Sequence, residues 1–268
     1  MSHNYLTIII SGLLFTSSPL IAQVLMSQYS IWEGFAFGNQ HVVESREAEE
    51  RFARFLLKLE RQNPTQQANQ ISELLVTVEQ HNAAARFLAL ADKYLYDPNS
   101  PYRNEELYLL FLQYAADYSL QAFINNSRYQ KHFIQVQKNR VGHKATNFQY
   151  ITQSGEKGNL YDLQSKYTLL FFHDPGCEEC QYIKKQMELN QTFFVQKGVR
   201  ILAVYIDEDV ALWQAANYPS EWLSVYANEI ESQDLYHIRA LPTLYLLDSN
   251  KKVLLKDVPF ELLSSSIV

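Results

Sequence analysis

YTLLFFHDPGCEEC, residues 167–180, is the stretch that decides the fold of the C-terminal half of this 268-residue chain. It opens with a largely apolar run, which is typical of a strand buried on both faces of a sheet. A Pro-Gly pair ends the run, and the amphipathic segment QYIKKQMELNQTFFVQ (181–196) predicts a helix. Cys177 and Cys180, the chain's only cysteines, therefore lie between a buried strand and a helix.

The C-x-x-C spacing itself favours reversible thiol chemistry. Side chains at i and i+3 on the first turn of a helix share a face, and their Cα separation of about 5–6 Å suits a disulfide. Unpaired backbone N–H groups and the helix dipole stabilise a thiolate at that end. Cys177 is nearer the helix end and is predicted to be the attacking thiol, with Cys180 as the resolving thiol.

The pattern on both sides of this stretch predicts a mixed sheet. FQYIT followed by SGEKG indicates an opening hairpin, and VRILAVYID (199–207) indicates a second buried strand. Residues 243–248 and 252–258 are interpreted as an antiparallel pair, followed by the start of a final helix. The remaining segments are interpreted as a short helix over Asn159–Ser165, and as helix or loop pieces over 211–218 and 223–229.

This order of elements resembles the thioredoxin fold over about residues 143–268. The resemblance rests on the C-x-x-C between strand and helix, on Ala240-Leu241-Pro242-Thr243 just before a strand, and on the terminal hairpin and helix. It implies that Pro242 lies in cis opposite the cysteines. It also implies that the backbone of Leu241 and Thr243 beside it pairs with an extended substrate. The opening hairpin and the ALWQAANYPSEW segment resemble the extracytoplasmic thiol–disulfide branch associated with cytochrome maturation.

Two positions depart from the thioredoxin pattern. Gly176 stands where the family usually has Trp before the first cysteine, and Phe171 stands where thioredoxins often carry a buried acid. The base that deprotonates Cys180 is therefore open, with His173, Asp174 or water as the alternatives.

Three residues are predicted to tune the thiols: Glu178, Glu179 and His173. The two negative charges inside the motif oppose a thiolate and so favour the disulfide, which predicts a reductant-like potential. His173 is interpreted as structural first and catalytic second. His237 and Arg239, just before the proline segment, are interpreted as surface residues, with substrate contact as the alternative.

The N-terminal half is predicted to be an all-α domain over residues 23–140. Apolar residues recur at helical spacing, and Ser45, Pro64, Asn104 and Asn126 mark helix starts, which gives about five helices in a small bundle. The third helix is predicted over about Asn82–Leu95 and the last over about Asn126–Asn139. The stretch KYLYDPNSPYRNEE resembles secreted bacterial proteins that place a helical domain of unknown function before a thioredoxin-like module. The aromatic side chains around it are interpreted as core, with a partner-binding groove as the alternative.

Residues 1–22 are predicted to be a signal peptide. The apolar segment within Leu6–Leu20 is short for a membrane span, and cleavage is expected after Ala22. The predicted location is therefore periplasmic or otherwise extracytoplasmic. An uncleaved N-terminal anchor is the alternative, and it is the only membrane association expected.

Composition and charge exclude several classes of function. A net charge of −6 without basic runs argues against nucleic acid as a partner, and two cysteines exclude a four-cysteine zinc site. No metal and no cofactor are predicted, although half of a metal site and a static disulfide remain alternative interpretations of the C-x-x-C. The leading hypothesis is a secreted thiol–disulfide oxidoreductase that reduces protein disulfides through the C-x-x-C of a thioredoxin-like domain at 141–268. Its expected partners are client proteins and an unidentified electron donor. The alternatives are a non-catalytic, partner-recruiting protein and a thiol peroxidase.

Overall fold

The computed structural model describes residues 31–267, so the expected signal segment at 1–22 lies outside the described residues. Residues 40–136 are helical. The elements are α1 (Gln40–Val43), α2 (Arg46–Leu59), α3 (Pro64–Gln80), α4 (Ala84–Ala91), a π-helix (Asp92–Tyr96), α5 (Glu105–Asp117), α6 (Gln121–Ile124) and α7 (Ser127–Val136).

Side-chain caps start the longer helices of this region. Ser45 Oγ accepts a hydrogen bond from the Ala48 amide at the start of α2. Asn63 and Gln66 form a reciprocal capping box at the start of α3. Asn104 caps α5 as Ser45 caps α2: its side-chain oxygen accepts a hydrogen bond from the Leu107 amide in the first turn. The predicted helix starts at these positions are confirmed.

The helical core consists of the apolar residues that the helical spacing singles out. Phe52, Leu56 and Leu59 of α2 are fully buried, as are Leu75 and Val78 of α3. They pack into one cluster with side chains of α4 and α5. Burial of these side chains, each worth about 1.5–3 kcal/mol, holds the helices together.

Two predicted helix boundaries need correction. Asn82 and Asn139 both have positive φ, at 57° and 48°, so neither can lie within a right-handed helix. The third helix consequently starts at Ala84, and its C-terminal end continues as the π-helix rather than stopping at Leu95. The last helix stops at Val136, and α6 lies in a stretch for which no helix was predicted.

The C-terminal half contains one mixed sheet flanked by short helices. Its strands are β1 (Gln149–Thr152), β2 (Lys157–Asn159), β3 (Tyr167–Phe172), β4 (Val199–Tyr205), β5 (Leu223–Tyr226), β6 (Thr243–Asp248) and β7 (Val253–Lys256). Its helices are α8 (Glu178–Leu189), α9 (Gln191–Lys197), α10 (Val210–Ala215), α11 (Glu229–Ser232) and α12 (Leu263–Ser266), and 3₁₀ turns span Leu160–Asp162 and Phe260–Leu262. Within residues 31–267, seven strands lie in the order β2-β1-β5-β4-β3-β6-β7. β3, β4 and β5 are parallel, and β6 runs antiparallel to β3.

Strand β3 is buried on both faces, as its apolar run predicts. Leu170 and Phe172 pack into the core on one side of the sheet. Leu169 and Phe171 pack into the core on the other side, which includes Ile183 of α8. The predicted α/β thioredoxin-like architecture after a helical region is therefore confirmed.

Three details of this half differ from the sequence-based expectation. The short helix expected over Asn159–Ser165 is only a 3₁₀ turn over Leu160–Asp162, and Asn159 is the last residue of β2. Residues 223–229 were interpreted as helix or loop, but residues 223–226 form β5, which pairs in parallel with β4. Pairing and burial of Val225 override a weak local pattern here. The single helix expected over 181–196 is divided at Asn190, whose side chain donates a hydrogen bond to the Gln186 carbonyl.

Among residues 31–267, no helix combines the length and the apolar character needed to cross a lipid bilayer.

Candidate functional site

The sheet register brings the two predicted site segments together. In the antiparallel pairing of β3 with β6, Phe172 lies opposite Thr243. The end of β3, which leads into the C-x-x-C, is therefore beside the start of β6, which follows the proline segment. Residues separated by more than sixty positions meet at one edge of the sheet.

Cys177 lies at the N-terminal end of helix α8. It is the N-cap residue rather than part of the first turn, and its Sγ accepts a hydrogen bond from the Cys180 amide at 3.2 Å. Its side chain is partly exposed, and both cysteines are free thiols. An amide N–H aimed at the sulfur stabilises negative charge there, as the helix N-terminus does.

Cys180 lies one turn into α8 and is only 2% exposed. Burial raises the pKa of its thiol, and the nearby Cys177 raises it further. A hydrogen bond from the backbone of Asp174 opposes this shift without cancelling it. The two sulfurs therefore differ as predicted in exposure, with an accessible one at the helix end and a protonated one behind it.

The proline segment lies against the exposed sulfur. The Leu241–Pro242 peptide bond is cis. The Cys177 thiol approaches the carbonyl oxygen of Leu241 at 3.8 Å. Thr243 is buried, and its hydroxyl donates to the Ala240 carbonyl at 2.7 Å, which closes the turn around the proline.

His173 is buried between aromatic rings just before the motif. Its ring stacks on Phe171 at 4.6 Å between centroids and meets Tyr218 edge-on at 5.5 Å. Burial lowers the pKa of His173 to about 3, and the charge of Lys184 lowers it in the same direction. Its Nε2 has no hydrogen-bond partner. The imidazole is therefore neutral at physiological pH, and its low pKa makes it a poor acceptor of the Cys180 proton.

Packing and a tight turn account for the residues at the two positions that depart from the thioredoxin pattern. Phe171 is fully buried, so it supplies packing where a thioredoxin has a carboxylate. Asp174 Oδ1 accepts a hydrogen bond from the Gly176 amide at 2.7 Å. A Cβ at Gly176 would lie 3.3 Å from that same oxygen, so the tight turn favours glycine there.

A cavity of about 490 Å³ adjoins the buried sulfur. Cys180, His173 and Asp174 contribute to its wall on the motif side, and Tyr218 contributes from the segment after α10. Lys184 and Glu188 of α8, which pair at 3.2 Å, line it as well. Asp174 is thus a carboxylate on a cavity shared with Cys180.

Glu178 and Glu179 are exposed in the first turn of α8. Acidic residues at this end of a helix interact favourably with its dipole. Their solvent exposure limits the effect of their charge on the thiols, because water and salt screen it.

The interpretation of His237 and Arg239 as surface residues is wrong. The side chain of Arg239 is only 7% exposed and that of His237 11%. Both are covered by the helical region, where Glu105 and Tyr96 contact them. The sequence carried no sign of this burial, since the contacting residues are far away in the chain.

Within the described part of the chain, no group of three or more His, Cys, Asp or Glu side chains is arranged to hold a metal ion.

Comparison with known proteins divides the chain at the same place as its architecture. Residues 15–139 match a family described as a domain of unknown function, DUF5106. Residues 141–256 match the AhpC/TSA family.

The similar proteins point to thiol–disulfide chemistry for the second half. The thiol–disulfide oxidoreductase ResA of Bacillus thuringiensis strain Al Hakam is 30% identical over 132 residues, which cover 47% of this chain and 73% of that protein. ResA of Halalkalibacterium halodurans is 28% identical over 116 residues, 42% of this chain and 66% of that protein.

A solved structure covers both halves. A thioredoxin-like protein from Bacteroides caccae superposes with a TM-score of 0.82 at 30% identity, over 99% of each chain. The likeness therefore includes the helical region and its placement against the sheet. On these grounds the chain belongs to the thioredoxin-like thiol–disulfide oxidoreductase family, in the form that carries a DUF5106 domain before its AhpC/TSA domain.

Proposed function

We propose that this protein is an exported thiol–disulfide oxidoreductase that reduces protein disulfides through Cys177 and Cys180. One observation carries the proposal. The partly exposed Cys177 sulfur accepts an amide hydrogen bond at a helix end, beside the Leu241 carbonyl, while Cys180 lies buried one turn behind it.

In the first step, the Cys177 thiolate attacks one sulfur of a client disulfide. A bond forms between Cys177 Sγ and that sulfur, the client S–S bond breaks, and the leaving sulfur departs as a thiolate that takes up a proton. The Cys180 amide and the end of α8 stabilise the attacking thiolate. The backbone of Leu241 and Thr243, beside Pro242, is proposed to pair with the extended client.

In the second step, Cys180 loses its proton and attacks Cys177 Sγ. The mixed disulfide breaks, the second client sulfur leaves as a thiol, and Cys177–Cys180 becomes a disulfide. Two electrons have passed from the dithiol to the client. Asp174 is proposed to receive the Cys180 proton, since it is a carboxylate on the same cavity and His173 is a poor base.

A further turnover requires an external dithiol electron donor, because the reaction leaves the motif oxidised. Export is proposed from the apolar N-terminal segment, with the domains taken as 23–140 and 141–268 after removal of 1–22. An oxidising compartment gives a lone C-x-x-C both clients and a need for a donor.

Substrate trapping tests the reaction. Cys180→Ser should accumulate mixed disulfides through Cys177, visible as high-mass species that dithiothreitol removes. The matched control, Cys177→Ser, should accumulate none, and the unaltered protein should reduce insulin when a donor dithiol is supplied.

Two outcomes would contradict the reductase proposal. If Cys180→Ser traps nothing and insulin is not reduced, the non-catalytic binding function replaces this one. If the protein instead consumes hydrogen peroxide without exchanging disulfides, the peroxidase alternative does.

A further inference from the structure

A buried cluster of charges joins the helical region to the segment before Pro242. Glu105, in the first turn of α5, is 6% exposed and contacts Arg239 Nε through Oε1 at 3.2 Å. Its other oxygen contacts Lys256 Nζ at 2.6 Å. Arg239 also pairs with Asp257, so one guanidinium bridges a carboxylate from each half of the chain.

Burying this cluster carries a large desolvation free energy. Removing charges from water costs several kcal/mol per ion, and only good pairing recovers it. Burial raises the pKa of Glu105, and the charges of Lys256 and Arg239 oppose that shift. Arg239 Nε and Glu105 Oε1 form no aligned hydrogen bond with each other, so charge attraction dominates that contact.

Other contacts also attach the two regions. Asn139 donates to the Leu235 carbonyl at 2.9 Å, and Lys138 donates to the Asp234 carbonyl at 2.6 Å. Arg103 donates to the Asp257 carbonyl at 3.1 Å. These contacts to backbone carbonyls also join the regions, so the burial of Glu105 and Arg239 calls for a more local explanation.

The location of Arg239 supplies that explanation. Arg239 lies three residues before Pro242, and the next residue, Ala240, accepts the Thr243 hydroxyl that closes the proline turn. Leu241 follows, with its carbonyl 3.8 Å from the Cys177 sulfur. A fixed Arg239 therefore fixes the backbone that faces the attacking thiol.

The helical region holds this position from a second direction. The Tyr96 ring lies 4.8 Å from the Arg239 guanidinium carbon, and its hydroxyl is 2.9 Å from His237 Nε2. Burial, followed by the charge of Arg239, lowers the pKa of His237 to about 3, so this contact is a neutral hydrogen bond. Both side chains that precede the proline segment are thus held by residues 96–105.

We infer that Glu105 is a positioning residue for substrate binding: by pairing with Arg239 it holds residues 240–242 in the form that receives an extended client. This rests on the proposed function and assigns the helical domain a part in it. The helical domain would then set how tightly clients bind at the thioredoxin-like site, without touching the reacting sulfurs.

The test compares Glu105→Gln with Glu106→Gln in the full chain. Glu106 is the next residue of α5 and pairs with Arg140 at 2.5 Å, away from the proline segment, so its loss is a matched control. Steady-state reduction of a disulfide-containing peptide should show KM raised about fivefold or more in Glu105→Gln, with kcat unchanged. The potential of the cysteine pair should move little, because the Cys180 amide and the N-terminal end of α8, which stabilise the Cys177 sulfur, are unaltered.

Hydrogen exchange provides a second measurement that needs no turnover. The amides of residues 237–241 and 243–244 should exchange faster in Glu105→Gln than in Glu106→Gln, while those of α8 should not differ. If Glu105→Gln fails to fold, the double variant Glu105→Gln/Lys256→Met takes its place. It removes the charges of Glu105 and Lys256 together and still leaves Arg239 without the Glu105 carboxylate. The same changes in KM and exchange are expected of it.

The outcomes separate the two proposals. Equal KM and equal exchange in the two variants overturn the inference while leaving the reductase function intact, as does an equal rise of KM in both. If the unaltered protein reduces no disulfide, the reductase function fails, and the exchange data alone decide whether Glu105 holds the proline segment.

Discussion

The Cys177 sulfur lies 3.8 Å from the carbonyl oxygen of Leu241, a residue sixty-four positions later in the chain. This contact places the accessible thiol against the cis-proline segment, and the Cys180 thiol is buried behind it. Under the proposed function, a client disulfide would react with Cys177 first, and Cys180 would then attack the mixed disulfide at Cys177.

The difference in burial predicts selective alkylation of the two thiols. In the reduced protein at pH 7, iodoacetamide should modify Cys177 at least about tenfold faster than Cys180, because the raised pKa of Cys180 keeps it a thiol. The rates are measured by mass spectrometry in Cys180→Ser and Cys177→Ser. Because burial raises the pKa of Cys180, the alkylation rate of this thiol should still be rising at pH 9. Similar rates for the two thiols at pH 7 would contradict the assignment of attacker and resolver.

Asp174 offers a test of the proton's destination. Asp174→Asn keeps an oxygen that can accept from the Gly176 amide but removes the charge. If Asp174 receives the Cys180 proton, the resolving step should slow about tenfold or more, and mixed disulfides should persist.

The opposite result is equally clear. The negative charge of Asp174 contributes to raising the Cys180 pKa, so losing it favours the Cys180 thiolate. Faster resolution in stopped-flow measurements of Asp174→Asn would show that Asp174 acts only as a neighbouring charge, and that water takes the proton.

The acidic pair inside the motif predicts a modest effect on the reduction potential. Glu178→Gln with Glu179→Gln should raise the potential by up to about 30 mV, the equivalent of about 1.4 kcal/mol. The change is limited because both side chains are exposed. The potential of the unaltered protein is expected below about −150 mV in a glutathione or dithiothreitol titration. Glu156→Gln, in the exposed turn between β1 and β2, is the control.

A potential above that limit would remove the reductant-like assignment. A shift of the same size in Glu156→Gln would mean that net charge, and not location in the motif, is responsible.

The parts of the structure that the sequence predicts are those set by local signals. Ser45 and Asn104 start helices because their side chains bond to amides three residues later, and the β3 run is apolar because both faces are covered. The C-x-x-C between strand and helix follows from the same local pattern. These contacts span only a few residues, so composition and spacing are enough to infer them.

The parts that the sequence misses depend on distant partners. Strand β5 forms because residue 225 pairs with residue 204 of β4 and becomes buried. Arg239 is buried because Glu105 reaches it across 134 positions, and from sequence alone Glu105 is only an acidic residue in a first helical turn. A charged side chain before a loop looks exposed until its countercharge is located.

The buried histidines predict how stability depends on pH. The folded pKa of His173 and of His237 is lowered to about 3 from an ordinary value of 6.5. Between those values the unfolded chain binds the protons and the folded chain does not, so stability falls as pH drops below about 6.5. Each histidine should cost about 1.4 kcal/mol of unfolding free energy on going from pH 7.5 to pH 5.5.

His173→Met separates the contribution of one histidine. The substitution removes the titrating group and fills similar space beside Phe171, so the variant should lose about half of the fall in stability seen between those two pH values. Urea unfolding at pH 7.5 and 5.5, followed by circular dichroism, measures both proteins. Carboxylates with ordinary pKa values titrate below this interval, and Glu105, whose pKa burial raises, would stabilise the folded protein as the pH falls, so the fall is attributed to histidine. An unchanged fall in His173→Met would show that the imidazole takes up its proton in the folded protein.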